Sequence, residues 1–163
     1  MARMYPEIFP GTSDQNNPEF IVYQILRMLP DPYIVFYSKR FKGGLFGKSE
    51  CEIDFIIFNQ QDVIICLEVK GGTLSYDGIE DRWLQNGKIM GRSPDRQATE
   101  ATHCLIRELS KEIRNANVDW ALCFPQCNLV ADSTPIGIPL TRIIDESGVQ
   151  NIVSEISNIE DEI

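Results

Sequence analysis

Two neighbouring apolar segments, each interrupted by charge, constrain the fold of this chain more than any other feature. Residues 51–58 read CEIDFIIF and residues 63–70 read VIICLEVK. Both are rich in β-branched residues, and the short polar connection between them, residues 59–62, is typical of a β-hairpin. Because each segment is apolar on both faces, we expect the hairpin to lie at the centre of a sheet that is covered on both sides.

The charged residues that matter in this hairpin are Asp54, Glu68 and Lys70. A buried, unpaired carboxylate costs several kcal/mol, so each acid must be neutralised, paired or bound to a cation. Side chains alternate along a strand, which places Glu68 and Lys70 on one face. A three-residue loop would set Asp54 directly opposite Glu68, whereas a four-residue loop would set Leu67 there. We favour the first because the polar side chains then share a face.

Two carboxylates that meet in this way predict a site for a hard cation such as Mg²⁺ or Mn²⁺, which prefers oxygen ligands. Lys70, one step further along the strand, would hold and polarise an attacking water, while the metal would stabilise charge on a phosphate under attack. A buried ion pair with a strand-end charge explains the same spacing equally well. Spacing alone therefore leaves both interpretations open.

The order of the remaining elements predicts an α/β protein. Helical spacing of apolar residues follows Asn17-Pro18, and a second helix begins at Ser93-Pro94 and runs to about residue 115. Strands are expected at 33–37, 74–76, 83–90 with a turn at Asn86-Gly87, 119–124 and near 138, and a last helix near 150–156. This order is typical of an α/β sandwich around a mixed sheet. We expect one domain, residues 1–163, with a core of about 17–130 and a peripheral segment 131–163.

The net charge of −9 argues mildly against a nucleic-acid partner, because phosphate binding rewards positive surface. The distribution of charge weakens that argument, since the chain from residue 145 onward carries six acids and no Lys or Arg. Residues 39–48 contain no acid and read as a basic loop, which either follows a phosphate backbone or is merely a solvated tip. We favour phosphate binding by its four cations, Lys39, Arg40, Lys42 and Lys48.

The cysteines are odd in number and lie mostly in apolar segments: Cys51, Cys66, Cys104, Cys123 and Cys127. This pattern predicts reduced, buried thiols rather than a disulfide framework. No apolar run approaches the roughly 18–20 residues of a membrane span, and residues 1–10 contain no apolar signal segment. We therefore expect a cytoplasmic protein.

An ordered set of short motifs resembles the PD-(D/E)xK nuclease superfamily and, more closely, its nuclease-related domain (NERD) family. The matching parts are Asn17-Pro18-Glu19, Glu52-Ile53-Asp54-Phe55, Leu67-Glu68-Val69-Lys70-Gly71-Gly72, Trp83, Ser93-Pro94-Asp95-Arg96-Gln97 and Ala121-Leu122-Cys123-Phe124-Pro125. One departure is Ile53, where the superfamily often has proline before the aspartate. The resemblance implies a restriction-endonuclease-like αβββαβ core, with a mixed central sheet flanked by helices.

The same resemblance implies a role for each site residue. Asp54 and Glu68 would be metal ligands together with the Val69 carbonyl, and Lys70 would orient the attacking water. Glu19 would support the metal from the first helix, and Gln97 would line the same site. The implied activity is Mg²⁺- or Mn²⁺-dependent hydrolysis of DNA.

Alternatives remain open at this stage. Glu19 would also favour the positive end of its helix without any catalytic role, Gln97 would equally suit an exposed first turn, and Trp83 is better explained as core. A degenerate domain that binds nucleic acid or protein without cutting is the second hypothesis. RNA as substrate, homo-oligomerisation, and a helicase or other module in the same or a partner chain also stay open, whereas a membrane partner is not expected.

Overall fold

The computed structural model describes residues 1–42, 50–109, 117–129 and 134–163. Its elements in chain order are β1 (Arg3–Tyr5), α1 (Pro18–Leu26), β2 (Ile34–Lys42), β3 (Glu50–Phe58), β4 (Val63–Val69), β5 (Leu74–Asp77), β6 (Arg82–Gln85), β7 (Lys88–Ile89), α2 (Pro94–Leu109), β8 (Asn117–Phe124), β9 (Ile143–Asp145), α3 (Glu146–Val149) and α4 (Ile152–Asp161). A short 3-10 helix, Leu140–Arg142, precedes β9.

A mixed sheet lies at the centre of the described residues, with strand order β1-β2-β3-β4-β8-β9. Strands β2, β3 and β4 are antiparallel neighbours, whereas β8 and β9 follow β4 in parallel and β1 is parallel to β2. The expected α/β architecture with a mixed sheet flanked by helices is confirmed. The β3–β4 hairpin is central, as its two apolar faces predicted.

Helices cover both faces of this sheet. On one face, α1 and α4 supply Leu26 and Ile156 to a cluster that contains Phe55 and Leu67 of the hairpin. On the other face, α2 packs its apolar stripe on the alternate hairpin residues: Ala101 and Leu105 meet Ile56, Ile64 and Cys66. Burial of each large apolar side chain stabilises the fold by about 1.5–3 kcal/mol. The hairpin is therefore held rigidly from both sides.

The hairpin has the three-residue loop that we favoured. Phe55 is paired with Leu67 and Phe58 with Ile64, and the Asn59 amide donates to the Val63 carbonyl. The Asn59 side chain fixes this loop length, because its Oδ1 accepts from the amides of residues 61, 62 and 63. Gln60 adopts a positive φ of 61° to allow this. The loop leaves Gln60, Gln61 and Asp62 outside the ladder.

The first helix begins as predicted, with the Asn17 side chain accepting from the Glu19 amide. The predicted strand at 33–37 is longer in the structure, because Lys39, Arg40 and Lys42 continue β2 and pair with β3. The expectation that they form a loop is therefore wrong. Lys48, the fourth cation of that expectation, lies outside the described residues, as does the predicted end of the second helix near 115.

The C-terminal part departs most from expectation. The strand placed near 138 is wrong: the structure forms β9 at Ile143–Asp145, and Ile138 is buried in a loop. Residues after 134, expected to be peripheral, supply the edge strand β9 and core residues such as Ile144, Ile156 and Ile159. The last helix begins at Ile152 and extends to Asp161. No helix within the described ranges combines the length and apolar character that a bilayer span would need.

One disulfide corrects the expectation of reduced thiols throughout. Cys51 of β3 and Cys104 of α2 are bonded, while Cys66, Cys123 and Cys127 are free and buried. The bond joins residues 53 positions apart in sequence. Such a pairing arises from packing of α2 on the hairpin and has no local signature in the sequence.

Candidate active site

The end of β4 brings together the acid, the cation and the amide expected from the sequence. The Lys70 Nζ lies 3.2 Å from Glu68 Oε1, which confirms that the two side chains share a face. The same Nζ donates to Gln97 Oε1 at 2.8 Å, and Gln97 Nε2 donates to the Arg92 carbonyl at 3.1 Å. Gln97, in the first turn of α2, is therefore half-buried and engaged rather than free at the surface.

Asp54 ends the ladder between β3 and β4. Because Asn59 and Val63 form a hydrogen-bonded pair, alternation along the ladder would make Ile53 and Val69 such a pair as well. Instead, the Val69 amide donates to Asp54 Oδ2 at 2.9 Å, and the last paired residues are Phe55 and Leu67. The carboxylate thus takes the place of a main-chain acceptor. This opens the hairpin at the point where Asp54 and Glu68 meet.

Burial raises the pKa of both carboxyl groups. Desolvation is the main cause for Asp54 and the charge of Glu68 the second, and together they raise its pKa from 3.8 to about 8. The Val69 amide and Lys70 act in the opposite direction but do not cancel these effects. The pKa of Glu68 is raised by desolvation too, against the opposing influence of Lys70. Two acids that resist ionisation side by side are typical of a functional site.

A third carboxylate reaches the site from α1. Glu19 Oε2 accepts from the Tyr37 hydroxyl at 2.6 Å, and the negative charge of Glu19 raises the pKa of both Asp54 and Glu68. Burial and the bond to Glu19 raise the pKa of Tyr37 far above its usual range. Glu19 therefore does more than complement its helix terminus.

Tyr37 is a site residue that the sequence analysis missed. It lies on β2 directly opposite Phe55, and its ring packs on Phe9 and Phe55 at centroid distances of 5.0 and 5.1 Å. In sequence it is one aromatic residue of an apolar run, and only its packing reveals that the hydroxyl faces Glu19. Trp83, by contrast, is buried against Phe124, which confirms the expectation that it is core.

Comparison with known families decides the relationship. The family model of the nuclease-related domain matches residues 15–125. The chain belongs to the NERD family. A search of curated proteins finds no match, and a search of solved structures finds none. The match covers α1, the hairpin, the β5–β7 sheet, α2 and β8, so the polar cluster described above lies wholly within the NERD domain.

Asp54 and Glu68 are the side chains of this NERD domain that could hold a hard divalent cation, with Glu19 close enough to act on the pKa of both. The net charge of the cluster is −2 when its four members, Glu19, Asp54, Glu68 and Lys70, are all ionised. Burial first, and the charge of Glu68 second, raise the pKa of Asp54, so a cation held between the two carboxylates would favour their ionised forms. No three His, Cys, Asp or Glu side chains converge as a metal-binding group in the described part of the chain. Two carboxylates are sufficient for Mg²⁺, which keeps several of its own waters.

The four cations expected to bind nucleic acid are not assembled into this cluster. Lys39 is exposed, with its Nζ 5.3 Å from the centre of the Phe36 ring, and Arg40 lies 3.3 Å from Glu52. No hydrogen bond or ion pair joins either to Asp54 or Glu68 within the described ranges. Lys42 ends β2 opposite Glu50, and Lys48 is outside those ranges, so a role for these four residues stays a prediction.

Proposed function

We propose that this NERD domain hydrolyses phosphodiester bonds of DNA with Mg²⁺ or Mn²⁺. The observation that carries the proposal is the pair of half-buried Asp54 and buried Glu68, with Lys70 beside Glu68 at the end of β4. Burying two carboxylates close together lowers the free energy of unfolding unless a bound cation offsets their charge. Metal-dependent phosphodiester hydrolysis needs two carboxylates and an ammonium group, and it therefore explains this arrangement best.

Asp54 and Glu68 would hold the metal through oxygen, with the Val69 carbonyl as a third ligand. In an antiparallel pair the amide and carbonyl of one residue point to the same neighbouring strand, and the Val69 amide points to Asp54. When bound, the metal lowers the pKa of a water and stabilises negative charge on the phosphoryl oxygens. All these ligands are hard oxygen donors, as Mg²⁺ and Mn²⁺ prefer.

Lys70 would orient the attacking water. An ammonium group has three N–H donors, and two are directed by Glu68 Oε1 and Gln97 Oε1. The third can then donate to a water or to a phosphoryl oxygen of the substrate. Gln97 cannot rotate its amide without losing a bond, because its Nε2 already donates to the Arg92 carbonyl. The position of the reactive ammonium is thereby set by two partners on different elements.

The test is cleavage of circular and linear, single- and double-stranded DNA in Mg²⁺ or Mn²⁺. We expect Lys70→Ala and Glu68→Gln to lower the rate by at least about a hundredfold, the scale of losing one preorganised transition-state contact. Asp62→Asn, in the loop at the other end of the hairpin, is the matched control and should cut normally. Circular dichroism would check that all variants are folded. Equal cleavage by the wild type and both site variants would refute the proposal.

A second candidate is a domain that binds nucleic acid or protein without cutting. The Glu68–Lys70 ion pair and the net charge of −9 favour it, because both oppose approach of a polyanion to a metal-free site. Calorimetric titration with Mn²⁺ separates the two candidates. Wild-type binding that is lost in Asp54→Asn supports the nuclease, whereas no Mn²⁺ binding supports the non-cutting domain. We also propose that DNA is the partner of this domain. Binding of RNA in its place, and attachment to a helicase or other module, are further proposals.

A further inference from the structure

An open cavity of about 420 Å³ is lined on one side by Lys70 and Gln97, and Asp54 is not part of its lining. Its other wall is the β6–β7 hairpin and the segment that follows it. The polar lining consists of three cations and three amides and contains no acid: Lys70, Lys88, Arg92, Gln85, Asn86 and Gln97. Two of these cations have acidic partners outside the lining, since Lys70 is paired with Glu68 and Arg92 with Glu100. Lys88 therefore supplies the charge that makes this cavity unusual in a chain of net charge −9.

A neighbouring cavity has a different charge composition. This second cavity of about 340 Å³ shares Met90 and Gly91 with the first, but its lining includes two acids, Asp81 and Asp95, beside one cation, Arg82. Of the two cavities, the one that Lys70 lines has the more positive lining. A polyanion would therefore be attracted more strongly to that cavity.

The hairpin is fastened to the end of β4, so its cations have a fixed place relative to Lys70. Asn86 forms two hydrogen bonds with Thr73. The main-chain amide of Asn86 donates to the Thr73 carbonyl at 2.8 Å, and the side-chain Oδ1 of Asn86 accepts from the Thr73 main-chain amide at 2.9 Å. Gln85 Nε2 donates to the Gly71 carbonyl at 2.8 Å. Gly72 permits this contact, because a Cβ there would lie 2.3 Å from Asn86 Oδ1.

The two added cations differ in how they are held. Lys88 lies exposed on β7 and forms no ion pair with any residue that the structure describes. Arg92 is paired with Glu100 of α2, and its carbonyl orients Gln97. Lys88 is thus the more available charge, whereas Arg92 is a preorganised one next to the residue that positions Lys70.

We propose that this cavity, walled by Lys88 and Arg92, binds the nucleic-acid backbone at phosphates next to the one that is cleaved. The inference rests on the proposed function and adds the surface along which the substrate lies. Cations placed beside the reacting phosphate fix the register of the strand without reading its bases. The β5–β7 sheet, which carries no acid or base of the catalytic cluster, thereby acquires a substrate-binding role.

The test is fluorescence anisotropy with labelled double- and single-stranded DNA at several salt concentrations. Binding is measured for Asp54→Asn in EDTA, so that cleavage is absent. In this background Lys88→Glu should weaken binding about tenfold or more and lower the salt dependence by about one phosphate contact. Arg3→Glu, on the edge strand β1, removes an exposed cation elsewhere and should leave affinity near that of its parent. Lys39→Glu tests one of the four cations that the sequence predicted to bind phosphate, which the structure places on β2.

Failure of the inference and failure of the proposed function give different results. If Lys88→Glu weakens DNA binding no more than Arg3→Glu does, the cavity is not the backbone site. The inference then fails, although the wild type still cleaves DNA. Weakening by Lys39→Glu alone moves the interface to β2 and likewise overturns the inference. A wild-type chain that neither binds nor cuts nucleic acid refutes the proposed function itself. In cleavage assays of otherwise wild-type protein, Lys88→Ala should raise KM several-fold with little change in kcat.

Discussion

Asp54→Asn should stabilise the metal-free protein while abolishing its response to metal. The pKa of Asp54 is raised from 3.8 to about 8 by burial and by the charge of Glu68. Each tenfold change in an ionisation equilibrium corresponds to about 1.4 kcal/mol, which sets a ceiling of about 6 kcal/mol. Asp54 is only partly buried and shares its titration with Glu68, so solvent and coupling reduce the effect. We expect about 2–3 kcal/mol.

The effect must depend on pH with a definite sign. Below the unfolded-state pKa of Asp54 both states are protonated, and the carboxyl group costs nothing. Between that value and about 8, the folded protein keeps a proton that the unfolded chain has lost, so the free energy of unfolding falls as pH rises. Above this range the full penalty applies. Asparagine can still accept from the Val69 amide through its Oδ1, so the bond at this position is retained.

The assay is thermal and urea unfolding in EDTA from pH 4 to 9, with Asp62→Asn as the matched control. The stability advantage of Asp54→Asn should grow from near zero at pH 4 to about 2–3 kcal/mol at pH 9, or roughly 4–12 °C in Tm for a chain of this size. Asp62→Asn should show no such trend. Adding Mn²⁺ should raise the Tm of the wild type and leave Asp54→Asn unmoved. An advantage that is independent of pH, or a loss of stability, would refute the account of a strained acidic pair.

Two further substitutions test the supports of the site. Tyr37→Phe removes the bond to Glu19 and should cost about 1 kcal/mol; Mn²⁺ affinity measured by calorimetry should weaken with it, and unchanged affinity would deny Glu19 a role at the metal. Gly72→Ala combines a φ of +76° with a Cβ that meets Asn86, whereas Gly87→Ala has a φ of +79° and open space around it. Urea unfolding should therefore show a larger loss for Gly72→Ala, by more than about 1 kcal/mol, and equal losses would show that the contact with Asn86 does not fasten the hairpin.

The hairpin was the most predictable part because its signals are local. Alternation fixed the shared face of Glu68 and Lys70, and only the loop length was open. In the structure, three hydrogen bonds to the Asn59 side chain fix the loop at three residues. An Asn at the start of a polar run is the sequence signal for such a turn. Only the family resemblance predicted that Gln97 lines the site, because helical periodicity alone places it at the surface.

The features that sequence reasoning missed depend on contacts between distant segments. Lys39 and Arg40 look like loop residues because they are charged and precede glycines, but pairing with β3 draws them into β2. Cys51 meets Cys104 only because α2 lies across the hairpin. Likewise, the sequence does not reveal the cations of the β6–β7 cavity, because strands β5 and β6 separate Lys88 and Arg92 from Lys70 along the chain.

Part of the acidic total charge lies away from the catalytic end of the hairpin. Among the C-terminal acids, Glu160 accepts from Asn59 and Tyr33, and Glu162 contacts Thr141. Asn59 marks the loop end of the hairpin, and at about 3.3 Å per residue β4 separates it from the Glu68 end by roughly 17 Å. That distance exceeds the Debye length of about 8 Å at physiological salt. Glu160 should therefore contribute little to the potential at the catalytic end. Asp145 differs, because it is paired with Phe124 at the same end of the sheet as Lys70. A nucleic-acid backbone at that end would meet this acid and those of the site, and we expect Lys88 and a metal ion, when bound, to offset them.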